Sequence, residues 1–101
     1  MKDMQNDYCV ICGKPAECTH HLVFGRGLRE LALKDKLEIR CCNECHNMAT
    51  RATDRIHGNA MAMRLSKMLG QALWMCKSLN TEDQIEASKE AFIERYGRNY
   101  L

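Results

Sequence analysis

Between residues 58 and 79, apolar side chains recur at alternating steps of four and three: Met61, Leu65, Met68, Ala72, Met75 and Leu79. This spacing predicts one long amphipathic helix with a single apolar stripe. Asn80 closes it, and Thr81-Glu82-Asp83-Gln84 has the form of a capping box opening a last helix that runs to about Tyr96. On that helix Ile85, Ala87, Ser88, Phe92 and Ile93 are expected to face the long helix, and Gly97 is placed to stop it. Upstream the pattern changes. Thr19 to Phe24 is β-branched and aromatic and reads as a short strand ended by a Gly25-Arg26-Gly27 turn, and Leu37 to Cys41 alternates apolar and charged residues as a second strand. From His46 through Ala52 the composition favours a helix running straight out of a cysteine pair, and residues 1–8 read as a loose arm. The expected fold class is therefore α+β, mainly helical: two short strands and a helix, followed by two longer helices.

The chain has 101 residues without a Pro- or Ser-rich linker, internal repeat or low-complexity stretch, so a single domain is expected, with a metal core over 9–57 and a helical extension over 58–101. At this size one apolar core is barely sufficient, and a staple is expected. With 46% hydrophobic residues, 28% charged and one proline, the chain belongs with folded proteins and not with disordered or collagenous ones. The polar start MKDMQNDY has no apolar signal region, which points to a reducing, cytoplasmic setting in which paired cysteines hold a metal more often than each other. No apolar run reaches transmembrane length.

Seven cysteines stand in the chain, four of them as Cys9-x-x-Cys12 and Cys42-x-x-Cys45. Two such pairs supply the four thiolates of a closed tetrahedral zinc site, and zinc bound this way contributes roughly 10 kcal/mol or more to folding. Gly13 suits the tight turn behind the second sulfur. Cys41 is the alternative to Cys42 if the second knuckle turns differently, while Cys18 and Cys76 read as buried free thiols.

All four histidines lie in the first 57 residues. His20 and His21 are neighbours on a predicted strand, so their side chains point to opposite faces and cannot share one task. An ordinary pair of this kind is solvated or capping. Here His46 directly follows Cys45, so closing the zinc site brings it against the strand that carries His20 and His21, and His57 follows a short distance on. Such an imidazole cluster can hold a catalytic ion with an open water position, which the cysteine site cannot. A net charge of +2 does not by itself identify a nucleic-acid binder, but Arg26, Arg29, Lys34, Lys36 and Arg40 cluster between the histidine pair and the second cysteine pair, and the acidic residues gather near the C-terminus.

At CVIC, THHLVFGRG and IRCCNECHN, within residues 9–47, the chain resembles the HNH (ββα-metal) endonucleases, in particular small phage-type members with an added four-cysteine zinc. The resemblance implies cleavage of DNA or RNA phosphodiester bonds with a divalent ion held between a β-hairpin and a helix. It places His20 at a metal-ligand position, His21 at the general base and His46 at the helix histidine that binds the metal. Thr50 occupies the simplest place for a further ligand, which makes His57 the candidate substitute. The family's central Asn has no counterpart in Lys34-Asp35-Lys36-Leu37, and Asn43 and Asn47 fall at other places relative to the cysteines.

The reading that follows is a metal-dependent endonuclease acting on nucleic acid, DNA before RNA. It would carry a structural Zn²⁺ and a catalytic Mg²⁺, Mn²⁺, Ni²⁺ or Zn²⁺, with Arg26, Arg29 and Arg40 on flanking phosphates. The missing Asn favours a rival, a non-catalytic zinc-ribbon-like module that binds nucleic acid or protein. A second rival, an adaptor using the Met-rich stripe, is weaker because Met61, Met63, Met68 and Met75 read more readily as core.

Overall fold

The computed structural model describes residues 7–78 and 84–101. Strands β1 (Cys18–His21) and β2 (Glu38–Cys41) pair antiparallel, with Cys18 opposite Cys41, Thr19 opposite Arg40, His20 opposite Ile39 and His21 opposite Glu38. Helix α1 (Leu28–Asp35) lies between them in sequence. A wide π-type turn (Glu44–Met48), two 3-10 turns (Ala52–Asp54 and Ile56–Gly58), helix α2 (Ala60–Ser78) and helix α3 (Ile85–Tyr96) follow. The class is α+β with helix dominant, as the hydrophobic pattern predicts. No helix among the described residues is long and apolar enough to cross a membrane.

The first strand is shorter than the expected Thr19–Phe24. Leu22 and Val23 are both fully buried, which alternation forbids, and the chain instead turns inward after His21, with the Leu22 amide donating to Leu37 O at 2.9 Å. The expected glycine turn is present, Gly25 and Gly27 both at positive φ, but it feeds α1, which the pattern did not show. In this two-turn helix Leu28, Leu31 and Ala32 face the core at steps of three and one, too short a run for a period to emerge among its charges. Lys36 closes it in the left-handed conformation, its amide and that of Leu37 donating to Leu33 O and Ala32 O.

The helix expected from His46 to Ala52 is replaced by the single wide turn. Asn47 at φ −159° leaves helical geometry and Ala49 is extended, its carbonyl accepting from Arg55 Nε at 2.7 Å. The α2 stripe is also displaced: Met61 and Leu65 are 70% and 54% exposed. The buried positions of α2 are Ser66, Gly70, Gln71 and Met75, so its packed face is marked mostly by small and polar residues that a hydrophobicity pattern does not register. A Cβ on Gly70 would stand 2.6 Å from Val23 Cγ2, showing how closely α2 approaches the segment after β1. Gln71 is held by Tyr100 N and Asn99.

On α3, Ser88, Phe92 and Tyr96 are buried, while Ile85 and Ala87 are exposed, and Gly97 ends the helix at φ 93° as expected. Leu79, Asn80 and the capping-box residues 81–83 lie outside the described residues, as does most of the arm over 1–8. The main core gathers Leu22, Val23, Ala32, Leu37, Phe92 and Tyr96, with Phe92 stacked on Tyr96 at 4.5 Å. Asp35 ties the elements together at its rim. It accepts two bonds from Arg95 and one from the Tyr96 hydroxyl, and its carbonyl accepts from Lys77. Burial alone would raise the Asp35 carboxyl, but the Arg95 and Tyr96 bonds outweigh it and hold the group below its ordinary range.

Candidate metal centres and the histidine cleft

Two knuckles and the sheet bring Cys9, Cys12, Cys42 and Cys45 together, each sulfur within 4.8 Å of the other three. Gly13 takes φ 83° and donates to Cys9 O, while the amides of Ile11 and Cys45 donate to the sulfurs of Cys9 and Cys42 at 3.4 Å. Two sulfurs at ~2.3 Å from a tetrahedral zinc stand about 3.8 Å apart. Cys12 Sγ and Cys42 Sγ are 3.7 Å apart. The thiols cannot ionise together unaided. Burial works to raise Cys9, yet amide bonds from Cys12, Cys42 and Ile11 bring it down to about 6, whereas burial and the neighbouring sulfurs push Cys45 up. The Cys9 thiolate is thus favoured while Cys45 resists, a conflict that a divalent cation removes. The four-cysteine cluster can hold a metal ion such as zinc, with Cys42 and not Cys41 as its third ligand.

Cys41 instead faces Cys18, its cross-strand partner, at 3.8 Å, and burial raises its thiol to about 12. Cys18 is half-buried and engaged: it donates to Cys41 O at 3.4 Å and lies 3.5 Å from His46 Nδ1. Cys76 is exposed, against the expectation of a buried thiol, because it sits on the outer face of α2.

His20, His46 and His57 converge, with ring centroids 4.7 to 5.1 Å apart and a nitrogen of each within 4.8 Å of the other two. The hydrogen bonds around them fix which lone pairs are free. Ser66 Oγ donates to Leu22 O at 2.7 Å, so it accepts from His20 Nε2 at 2.8 Å. The His20 proton is then on Nε2, and its Nδ1, buried and without a hydrogen-bond partner, presents a bare lone pair. The single Cys18 hydrogen points to Cys41 O, so Cys18 sulfur accepts from His46 Nδ1–H and leaves His46 Nε2 facing His57 Nε2 at 3.1 Å. Burial lowers all three imidazoles. His20 falls to about 4, through burial and then repulsion from His57, His46 and His21, so at neutral pH the cluster is uncharged and ready to donate to a cation.

These rings line an open cleft of about 300 Å³ together with Thr19, His21, Phe24, Arg29 and Asn47. His21 sits at its edge. Its Nε2 is buried without a hydrogen-bond partner, with Glu38 Oε1 3.8 Å away, beyond hydrogen-bond reach. Of the three arginines singled out in the sequence, Arg29 lines the cleft. Arg40 is turned to the Asp7 carboxylate and Thr19, and Arg26 is exposed on the glycine turn. Sequence reasoning missed Ser66 and Phe24, which carry no motif, and the engagement of Cys18. Pairing the strands in register would have placed Cys18 beside Cys41.

No family model matches the chain, and no curated protein or solved structure matches it either.

Proposed function

We propose that this chain is an HNH-type, ββα-metal endonuclease that hydrolyses phosphodiester bonds in nucleic acid, DNA in the first instance, with a structural zinc on its four cysteines. The observation that carries this reading is the bare, buried Nδ1 of His20 in a cluster with two further neutral imidazoles, all lining an open cleft with His21. An unpartnered polar atom in a buried position is costly, and a cation is the partner that all three rings can share. Three nitrogen donors suit Ni²⁺, Zn²⁺ or Mn²⁺ better than Mg²⁺, which prefers oxygen.

A divalent ion held by His20, His46 and His57 would supply positive charge beside the scissile phosphate and the departing oxygen. The chain's own residues do the rest. His21, which lines the cleft, accepts a proton from water as the water oxygen bonds to phosphorus; the P–O3′ bond breaks and the leaving oxygen takes a proton from solvent. The Glu38 carboxylate stands 3.8 Å from His21 Nε2. Arg29 at the cleft wall holds a flanking phosphate oxygen.

Two observations favour the rival, a non-catalytic zinc-ribbon-like binding module. The third element of a ββα unit is reduced to the wide turn Glu44–Met48, and no Asn stands in Lys34-Asp35-Lys36-Leu37, where Asp35 commits its carboxylate to Arg95 and Tyr96. The deciding experiment incubates zinc-loaded protein with supercoiled plasmid and single-stranded oligonucleotides in Mg²⁺, Mn²⁺, Ni²⁺ or Zn²⁺. Nicking that requires an added ion is expected; intact substrates that the protein nonetheless binds would select the binding module.

A further inference from the structure

Several cations of this chain are held by carboxylates and others are not. Arg40, Arg51 and Arg95 are paired with Asp7, Asp54 and Asp35. Arg64, Lys67 and Arg98 have no carboxylate partner among the described residues, and all three line one open groove of about 480 Å³ with Tyr100 and Asn99. No Asp or Glu side chain lines it. Arg64 and Lys67 are three residues apart on α2 and so share a face of that helix, while Arg98 and Tyr100 come from the segment after α3, held there by the Tyr100 amide donating to Gln71 Oε1 at 2.7 Å.

The groove adjoins the histidine cleft. Lys67 Nζ stands 4.7 Å from the centre of the Phe24 ring and 5.7 Å from that of Tyr100, and Phe24 in turn meets the His57 ring at 4.8 Å. Arg98 lies over Tyr100 at 5.2 Å. From His57 through Phe24, Lys67 and Tyr100 to Arg98 the path is at most about 20 Å, a length over which one strand at ~3.4 Å per phosphate presents several charges. Unpaired cations interleaved with an aromatic ring form the pattern that tracks a phosphodiester backbone and stacks a base.

We infer that Arg64, Lys67, Arg98 and Tyr100 form a binding groove for a nucleic-acid strand, leading it over Phe24 into the histidine cleft. This rests on the endonuclease reading for the identity of the ligand, and it adds to the Arg29 contact a set of phosphate contacts from residues far away in sequence. Cations engage the phosphates, and Tyr100 takes a base against its ring. Recognition of this kind is independent of sequence.

The test is fluorescence anisotropy of zinc-loaded protein with labelled single-stranded DNA, duplex DNA and RNA of equal length, over a salt series without added catalytic ion, with cleavage measured in parallel. The probe bound most tightly names the strand that the groove carries. Arg64→Gln/Lys67→Gln/Arg98→Gln is expected to weaken binding at least about 10-fold and to flatten the salt dependence by about 2 in log–log slope, because each phosphate no longer neutralised removes about 0.7–0.9. Lys14→Gln/Lys77→Gln/Lys89→Gln, the same charge change outside the groove, is expected to leave that slope in place. Tyr100→Phe should retain single-strand affinity and Tyr100→Leu should lose it about 5-fold or more. Circular dichroism checks that each variant is folded. Binding that the groove triple variant weakens, without cleavage, would uphold the groove and remove the endonuclease reading; binding that the triple variant leaves unchanged would overturn the groove. Cleavage by wild type with affinity and slope unchanged in the groove triple variant would overturn the groove alone, and no binding at all would overturn both.

Discussion

Replacing Ser66 by Ala tests the hydrogen-bond logic of the histidine site without touching any nitrogen donor. Ser66 is buried, accepts from His20 Nε2 and donates to Leu22 O. Its loss strands one donor and one acceptor in the interior; at ~1–3 kcal/mol for a buried unsatisfied group, partly relieved by relaxation, a loss of about 2–3 kcal/mol in stability is expected. That is a large part of the ~5–15 kcal/mol typical of a domain. The second effect is on the ring. Without the serine, His20 is no longer locked with its proton on Nε2, and metal affinity at the histidine site should fall about 10- to 100-fold, the usual consequence of removing a partner that orients a ligand. Denaturant unfolding of the zinc-loaded protein measures the first effect, and calorimetric titration with Ni²⁺ or Mn²⁺ the second. Nitrogen-15 NMR of the imidazoles reads the tautomer directly, and Ser66→Thr should restore it. Unchanged Ni²⁺ affinity in Ser66→Ala, with His20 still protonated on Nε2, would refute the reasoning.

Three further outcomes are expected. Chelation of the four-cysteine site under reducing conditions, or Cys12→Ser, should abolish the ordered signals of residues 9–57 in an NMR spectrum; a spectrum unchanged after verified zinc loss would remove the staple. Gly58→Ala should lower stability by at least about 2 kcal/mol and the melting temperature by about 10 °C, because the added Cβ would clash with the Ala52 carbonyl oxygen, a contact that displaces His57 or its turn; a normal melt would contradict this. His20 titrates near 4 when folded, so its contribution is fully present above ~6.5 and is lost as pH falls towards 4. Zinc-loaded wild type without an ion at the histidines should therefore lose about 1 kcal/mol more than His20→Asn between pH 7.5 and 5.5, and equal losses would show that His20 is not buried as a neutral ring.

The four-cysteine cluster was legible because paired thiols at short spacing leave few alternatives, and the convergence of His20 and His46 followed from His46 abutting Cys45. The long and last helices were legible as elements but not as faces. Ser66, Gly70 and Gln71 turn inward on α2 because the segment from Leu22 to Val23 needs a close approach and a hydrogen-bond partner, and such needs leave no mark in hydrophobicity. The same limit hid α1, whose eight residues carry only two turns of pattern, and the wide turn at Glu44–Met48, which brings His46 to 3.1 Å from His57 in place of the helix its composition favours. The groove of Arg64, Lys67 and Arg98 was illegible because charge clustering in space joined residues that sequence keeps apart.

The most direct test of the central claim separates base from ligand at the histidine cleft. Single-turnover cleavage of plasmid by zinc-loaded protein is measured over a Ni²⁺ or Mn²⁺ titration for wild type, His21→Ala and His46→Ala. The account predicts that wild type nicks, that His21→Ala binds the ion with unchanged affinity but loses cleavage by at least about 100-fold, and that His46→Ala loses the ion itself. Cleavage by His21→Ala at the wild-type rate, or ion binding undiminished in His46→Ala, would contradict it.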